Sequence, residues 1–395
     1  MHPLPTRAAG LDRLAQFTPR MGRAYAAERN YDPGPENRPG VSALSPWICR
    51  RQVLEAEAVA AALSAHSPSA STKFIEEVFW RGYFKGWLEH RPGIWADAKP
   101  NHPAPAGLEA AETGNTGIAC FDAWARELVE TGYLHNHARM WFASIWVFTL
   151  GLPWRHGADF FLRHLLDGDA ASNTLSWRWV SGVHTRGKTY LARSSNIARY
   201  TAGRYPETPG LASVAPPVEE PPNPDVTPLR QPRRGTPVPS LYLVTTEDCG
   251  LVSSGDMPVA GVATLQLTGC RSARPVSPAV HAFDAGALAD GAAQLGGAVQ
   301  TLDHPTPADL VAAARAAGTT QIVTGFLHTG WVRDWFDAAE GEFDRAGITV
   351  AEIQRDWDRA VYPHCKSGYF GLKKKIPTLL PTIAPNAGMP LFSRV

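Results

Sequence analysis

The chain has 395 residues, a net charge of +1, and 44% hydrophobic against 19% charged residues, which fits an ordinary globular protein with room for two or three domains. A charge so near zero means that any polyanionic partner must be met by a local patch and not by the field of the whole molecule. No stretch approaches 18 uninterrupted apolar residues and residues 1–20 hold no apolar run, so neither a membrane span nor a secretory signal is expected.

Residues 1–205 read as helices. Residues 52–65 are rich in strong helix formers. Residues 74–88 place Phe74, Val78, Phe79, Phe84 and Trp87 in helical register, and residues 119–130 and 137–150 predict two more helices. Leu150-Gly151-Leu152-Pro153 predicts a break. Ten of the 13 tryptophans lie between Trp47 and Trp179. Composition alone reads this as a large aromatic core; the alternative is a flavin pocket with tryptophans along an electron path. Residues 206–239 contain eleven prolines and read as a semi-rigid linker. From residue 240 to 395, short apolar runs at 241–245, 259–265, 298–302, 321–324 and 348–353 alternate with helix patterns at 287–295, 307–317 and 332–345. That rhythm predicts a parallel sheet flanked by helices. The five cysteines, Cys49, Cys120, Cys249, Cys270 and Cys365, are scattered, which predicts reduced thiols and a cytoplasmic location.

Two motifs mislead. Gly182-Val-His-Thr-Arg-Gly187-Lys188-Thr189 satisfies the P-loop pattern, but that motif works only between a buried strand and a helix, and neither is predicted here. His135 and His137 stand two apart, off a common helix face, and lack a third ligand at metal spacing, so no metal is expected. The informative stretch runs from Thr116 to Trp179. Asn136, Arg139, Asp167, Asp169 and Asn173 within it are costly to bury without partners. Each alone reads as a cap or a surface pair; together they read as a site.

Their arrangement resembles the FAD-binding helical domain of the photolyase/cryptochrome family. Thr116, Gly117, Asp122, Ala123, Arg126, Leu128, Gly132, Tyr133, His135, Asn136, Arg139 and Met140 match one block, and Trp154, Asp167-Gly168-Asp169, Asn173, Trp177 and Trp179 match the next at the family's spacings. Upstream, residues 41–46 resemble the family's phosphate loop, and Glu77, Trp80, Arg81 and Tyr83 its substrate helix. The resemblance implies two units, a helical FAD-binding part (1–205) and an α/β part (240–395) joined by the linker (206–239). Their order is permuted, since family members begin with the α/β domain.

By the same resemblance, Tyr25, Ser42, Leu44, Ser45, Arg81, Tyr133, Asn136, Arg139, Phe161, Asp167, Asp169 and Asn173 would bind FAD. Ser42 and Ser45 would hold the pyrophosphate, Arg139 would pair with Asp167 beside the flavin, and Asn173 would face flavin N5. Trp177 and Trp154 would begin an electron-transfer chain whose third member is unassigned, Trp95 being one option. Glu77, Trp80, Asn136, Met140 and Trp179 would surround a flipped pyrimidine dimer, with catalysis resting on Glu77, Asn136, Met140, Asn173, Trp154 and Trp177. Residues 133–205 hold nine Arg or Lys and three Asp, an excess suited to DNA phosphates. Two departures bear on substrate: residues 183–196 replace a family segment bordering the pocket, and His137 stands where dimer-repair enzymes often have arginine. The implied function is light-driven repair of cyclobutane pyrimidine dimers in DNA by a flavoprotein lyase; the sequence leaves the oligomeric state unknown, a monomer being the default. A non-enzymatic blue-light photoreceptor and another flavin task are the alternatives. The sequence says nothing of an antenna chromophore.

Overall fold

The computed structural model describes residues 2–100, 103–253 and 255–384. Helices fill the first half, and local chemistry sets their limits. The Ser67 hydroxyl accepts from the Ala70 N–H and Pro68 opens the 22-residue helix Pro68–Glu89, proline being favoured where its missing N–H has no partner to lose. Asp169 caps Ala170–Val180 by accepting from the Ser172 N–H at 2.7 Å, and the His135 ring accepts from the His137 N–H at the start of Asn136–Ser144. The helix expected over 52–65 begins at Glu55, because the Glu57 carboxylate accepts from the Leu54 N–H and fixes the start there. The helix expected over 137–150 is α-helical only to Ser144, after which Ile145–Thr149 forms a π-helical turn. The wider turn moves later side chains off the α-helical face, a change that 3.6-residue periodicity cannot anticipate.

All five expected strands form: β1 Ser240–Val244, β2 Val259–Gln266, β3 Val299–Asp303, β4 Gln321–Gly325 and β5 Thr349–Ile353. They pair in parallel in the order β3-β2-β1-β4-β5. Helices Pro278–Leu295, Pro307–Ala316 and Trp331–Ala346 connect the later strands. The strand order reverses between β1 and β4. In a doubly wound sheet the crevice at the carboxyl ends of those two strands is the usual ligand position. Here it faces the helical half.

One apolar core runs through both halves, joining Leu14, Phe79 and Leu175 to Leu243, Phe336 and Tyr362. A second lies wholly among the early helices and contains Trp124, Trp141, Trp146, Trp154 and Trp177. Buried charges cross between the halves. Asp284 receives Arg50 Nε at 2.6 Å and Arg271 Nη2 at 2.8 Å, and Asp358 receives Arg51 Nη2 at 2.6 Å. Residues 206–239 hold no helix or strand, yet they are tied down. Glu220 accepts from Trp154 Nε1 at 3.0 Å and Arg155 Nη2 at 2.9 Å, and Arg230 Nη2 donates to Glu352 at 2.8 Å. Residues 182–187 are turns that follow a helix, so the P-loop pattern has no strand before it.

Candidate functional site

Four helices and one loop bring the polar residues of residues 77–173 together. Arg139, on the helix capped by His135, donates through Nη2 to Asp167 Oδ2 at 2.9 Å and through Nε to the Leu134 carbonyl at 2.9 Å. Burial opposes the charge on Asp167, but Arg139 outweighs it and holds the carboxyl below the ordinary range. Its second oxygen, Asp167 Oδ1, has no partner. Arg81 donates to Asp169 at 3.2 Å, yet Arg81 Nε is also left without a partner, as is Ser172 Oγ. Asn173 Nδ2 donates to the Ala158 carbonyl at 2.8 Å. A carbonyl can only accept, so the amide nitrogen is fixed there and the amide oxygen is left to accept from a ligand.

Buried polar atoms without partners cost about 1–3 kcal/mol each. Their convergence within a few residues of Asp169 fits a polar cofactor. The tyrosines support the same fit. Burial raises the hydroxyl pKa values of Tyr25 and Tyr133, yet both rings keep part of their surface accessible, as residues facing an internal cleft do. Tyr133 stacks between the guanidinium groups of Arg38 and Arg139 at 5.2 and 5.4 Å. Ser42 lies on a loop held by Arg13, whose Nε donates to the Ser42 carbonyl at 2.7 Å, and Ser45 opens the short helix Ser45–Ile48 that follows Leu44. Ala43 in that loop takes φ 52°, a left-handed conformation that costs about 1–3 kcal/mol in a non-glycine residue and is tolerated where the surroundings enforce it.

Asp169 does more than its motif suggests. Besides capping a helix it pairs with Arg81 and, at 3.1 Å, with Lys85 Nζ. Lys85 also reaches Glu247 at 3.3 Å, and Glu247 accepts from His328 Nδ1 at 2.9 Å. His328 Nε2 lies 2.9 Å from the Tyr362 hydroxyl and 3.5 Å from Asp358, which Arg51 holds. Glu247 follows β1 and His328 follows β4, so the crevice at the switch point is filled by a buried ion chain that begins at Asp169. Burial opposes ionisation along the chain. Lys85 and then Arg81 overcome it at Asp169, holding that carboxyl well below the ordinary range, and Lys85 with His328 brings Glu247 down to about 2. Sequence reading missed Lys85, Glu247 and His328. The one available signal was a lysine four residues after Arg81 on the same helical face.

On the opposite side of the site, Glu77 pairs with Arg29 at 2.6 Å, and the next carbonyl, Asn30, accepts from or faces His137 Nδ1 at 2.9 Å. This segment bridges the Glu77 helix to His137. Burial raises the Glu77 pKa despite Arg29. Asn136 is exposed and its Nδ2 lies 3.9 Å from Met140 Sδ. Trp80 stacks on Tyr369 at 3.7 Å with 11° between the rings, while Trp179 stacks on Tyr190 at 5.8 Å. Trp177 packs so closely on the neighbouring helix that a Cβ at Gly157 would sit 2.2 Å from its ring. Its ring neighbours are Phe161 at 5.0 Å, Trp146 at 6.0 Å and Phe142 at 6.4 Å. Trp154 is buried beneath the linker, bonded to Glu220, and Trp95 packs against Trp331 in the other half at 6.1 Å. Among the described residues no cluster of three metal-ligating side chains occurs, and no helix is long and apolar enough to cross a membrane.

Residues 74–203 match the family described as the FAD binding domain of DNA photolyase, which gives FAD as the cofactor; Arg81, Arg139, Asp167, Asp169 and Asn173 lie within the matched segment and Tyr25, Ser42 and Ser45 before it. Deoxyribodipyrimidine photo-lyase of Escherichia coli is 31% identical over 197 residues, covering 46% of this chain and 40% of that protein. The Streptomyces griseus protein of the same name is 34% identical over 197 residues, covering 45% and 42%. The match thus spans less than half the length of these relatives. Among solved structures, a class III photolyase from Agrobacterium tumefaciens superposes with TM-score 0.43 at 26% identity, covering 50% of this chain and 43% of that one. A Synechocystis cryptochrome gives TM-score 0.44 at 24% identity, covering 50% and 43%.

Proposed function

With residues 74–203 matching the FAD binding domain of DNA photolyase, we propose that the protein is a light-driven DNA-repair enzyme that splits cyclobutane pyrimidine dimers. The observation that carries the reading is Glu77, a largely buried carboxyl whose pKa burial raises, one helical turn from Trp80 on the same face and tied through Arg29 and Asn30 to His137, the neighbour of Asn136.

The residues divide the work. Arg139 and Asp167 hold one another beside the flavin ring, and the free Asp167 oxygen is available to it. Ser42 and Ser45 take the pyrophosphate. Tyr25, Leu44, Tyr133, Asn136 and Phe161 form the walls. Arg81 and Asp169 would close the polar end, and Asn173, its amide nitrogen held by the Ala158 carbonyl, would leave its oxygen to accept from the cofactor. The chemistry expected of the bound cofactor is donation of one electron in the light and its recovery once the cyclobutane ring has opened. Trp80, Trp179, Asn136 and Met140 receive the flipped dimer. A lesion disrupts its own stacking, so it leaves the duplex at less cost than normal bases. Glu77 keeps a proton more readily than an ordinary carboxyl. A proton shared with a pyrimidine carbonyl stabilises the extra electron on the dimer more than it stabilises the neutral dimer, and only such differential contact raises rate. Trp177, with Trp154 behind it, would pass electrons inward to restore the reduced flavin.

The test is a visible spectrum followed by light-dependent repair of a thymine-dimer oligonucleotide. Trp80→Ala or Trp179→Ala should weaken lesion binding by about 1–3 kcal/mol, and Glu77→Gln should slow repair more than it weakens binding. A protein that photoreduces its flavin yet neither repairs nor prefers the lesion would be a blue-light photoreceptor instead. A protein that takes up no FAD would refute both.

A further inference from the structure

The C-terminal segment after β5 does more than finish the α/β half. Helix Asp356–Val361, the turn Tyr362–His364 and helix Tyr369–Lys373 fold back on the Pro68–Glu89 helix, and helix Ile376–Ile383 packs on Asp356–Val361. A Cβ at Gly86 would meet Cys365 Sγ, the Tyr362 Cα and the Tyr362 ring, all at 2.9 Å, so that helix is shaped to take them. Tyr369 is buried, donates its hydroxyl to the Glu76 carbonyl at 2.8 Å and lies flat on Trp80. Lys373 pairs with Glu76 at 2.8 Å. The segment is therefore fixed against the face on which the proposed lesion site stands.

What it presents outward is basic and aromatic. Residues 359–384 contain Arg359, Lys366, Lys373, Lys374 and Lys375 and no acidic residue. Lys366, Lys374 and Lys375 are exposed and no described carboxylate pairs with them. Phe370, beside Tyr369, is 73% exposed. On the far side of the same aromatic surface, His184 packs on Trp87 at 4.6 Å and on Phe84 at 6.0 Å, and the turn it begins carries exposed Arg186 and Lys188. Cations thus lie on both flanks of this aromatic surface, and the exposed Phe370 ring, edge-on to Tyr369 at 6.4 Å, stands among those of residues 366–375. Phosphates along a strand and an unstacked base are the partners such a surface fits.

We infer that residues 366–375 form a second wall of the DNA-binding face, in which Tyr369 holds the Trp80 indole in place and Lys366, Lys374, Lys375 and Phe370 take the strand that runs past the lesion. The inference rests on the DNA-repair reading and adds to it a contact element outside residues 74–203. Each lost phosphate contact removes about 0.9 from the slope of log affinity against log salt on duplex DNA. The triple variant Lys366→Ala/Lys374→Ala/Lys375→Ala should flatten that slope by about 2–3 and weaken binding about tenfold or more at moderate salt. Phe370→Ala should weaken it about fivefold or more. Tyr369→Ala should lower lesion affinity while Tyr369→Phe keeps it, because the stack and not the hydroxyl holds Trp80. FAD content of every variant reports folding.

The wild-type protein is first titrated with dimer-containing and undamaged oligonucleotides. If it binds neither, the DNA-repair reading falls and this inference with it. If it binds the lesion and the triple and Phe370 variants bind with unchanged affinity and slope, this inference alone falls. Loss of binding to phosphatidylserine vesicles, with DNA binding intact, would assign the surface to a membrane and equally overturn it.

Discussion

Replacing Lys85 by methionine tests whether Asp169 is coupled to the α/β half. Methionine keeps the length of the side chain and removes its charge. Lys85 is buried and lies 3.1 Å from Asp169 and 3.3 Å from Glu247. Breaking a buried pair commonly costs about 3–5 kcal/mol because the remaining charge is uncompensated. Here each carboxylate keeps one partner, Arg81 at 3.2 Å and His328 at 2.9 Å, and the desolvation of the ammonium is relieved. The loss should therefore fall to about 2–3 kcal/mol, read as a lower guanidinium midpoint at fixed FAD. Glu247→Gln should cost less in the Lys85→Met background than alone, since the partner it would strand is already gone. Contacting residues couple by about 0.5–3 kcal/mol, whereas independent sites add within about 0.5 kcal/mol. A cycle that is additive within that margin, or a Lys85→Met midpoint equal to wild type, would refute the coupling.

Trp177→Phe should slow photoreduction of oxidised FAD sharply while FAD stays bound, and Trp146→Phe should slow it less; equal rates in wild type and Trp177→Phe would place the electron path elsewhere. The ion chain also sets a pH profile. Glu247, held at about 2, and Asp169 and Asp358, held well below their ordinary values, contribute stability that is present above pH 4.5 and lost as pH falls toward 2. His328, whose pKa its two carboxylate neighbours raise against burial, contributes below pH 6.5 and loses that contribution as pH rises through its folded value. Guanidinium midpoints measured from pH 3 to 9 should fall at both ends, and Glu247→Gln should soften both flanks; a profile unchanged in that variant would contradict the assignment.

The β-strands were legible because each is a short apolar run bounded by residues that break it, with Pro239 before β1 and Gly325 closing β4. The pairing of Arg139 with Asp167 was legible through the family resemblance, and the two stand 2.9 Å apart. Asp169 shows where such reading stops. It could be taken as a cap or as a cofactor ligand, but its pairing with Lys85 depends on Glu247 arriving from the other half of the chain. The π-helical turn after Ser144 and the Tyr369–Trp80 stack are equally tertiary. No local pattern distinguishes Ile145–Thr149 from a continuing α-helix, and nothing near Trp80 announces a ring supplied by the last helices. Trp146 beside Trp177 was visible only as one of many tryptophans, since its neighbourhood is set by that turn.

The contacts between the two halves are made by side chains and by the backbone pairs Cys249 N–H to Arg50 O at 2.7 Å and Ser277 N–H to Arg163 O at 2.9 Å, and only in part by the peptide that joins them. Arg50 with Asp284, Arg51 with Asp358, Lys85 with Glu247 and the Tyr369 hydroxyl on Glu76 all cross from residues before 206 to residues after 239. The joining peptide contributes tethers of its own but no strand or helix to either half. Recognition between the halves is therefore indifferent to which is translated first. A gene encoding them in the opposite order, or as two separate polypeptides, specifies the same mating surfaces, and fragments covering residues 1–205 and 240–395 should complement one another in solution.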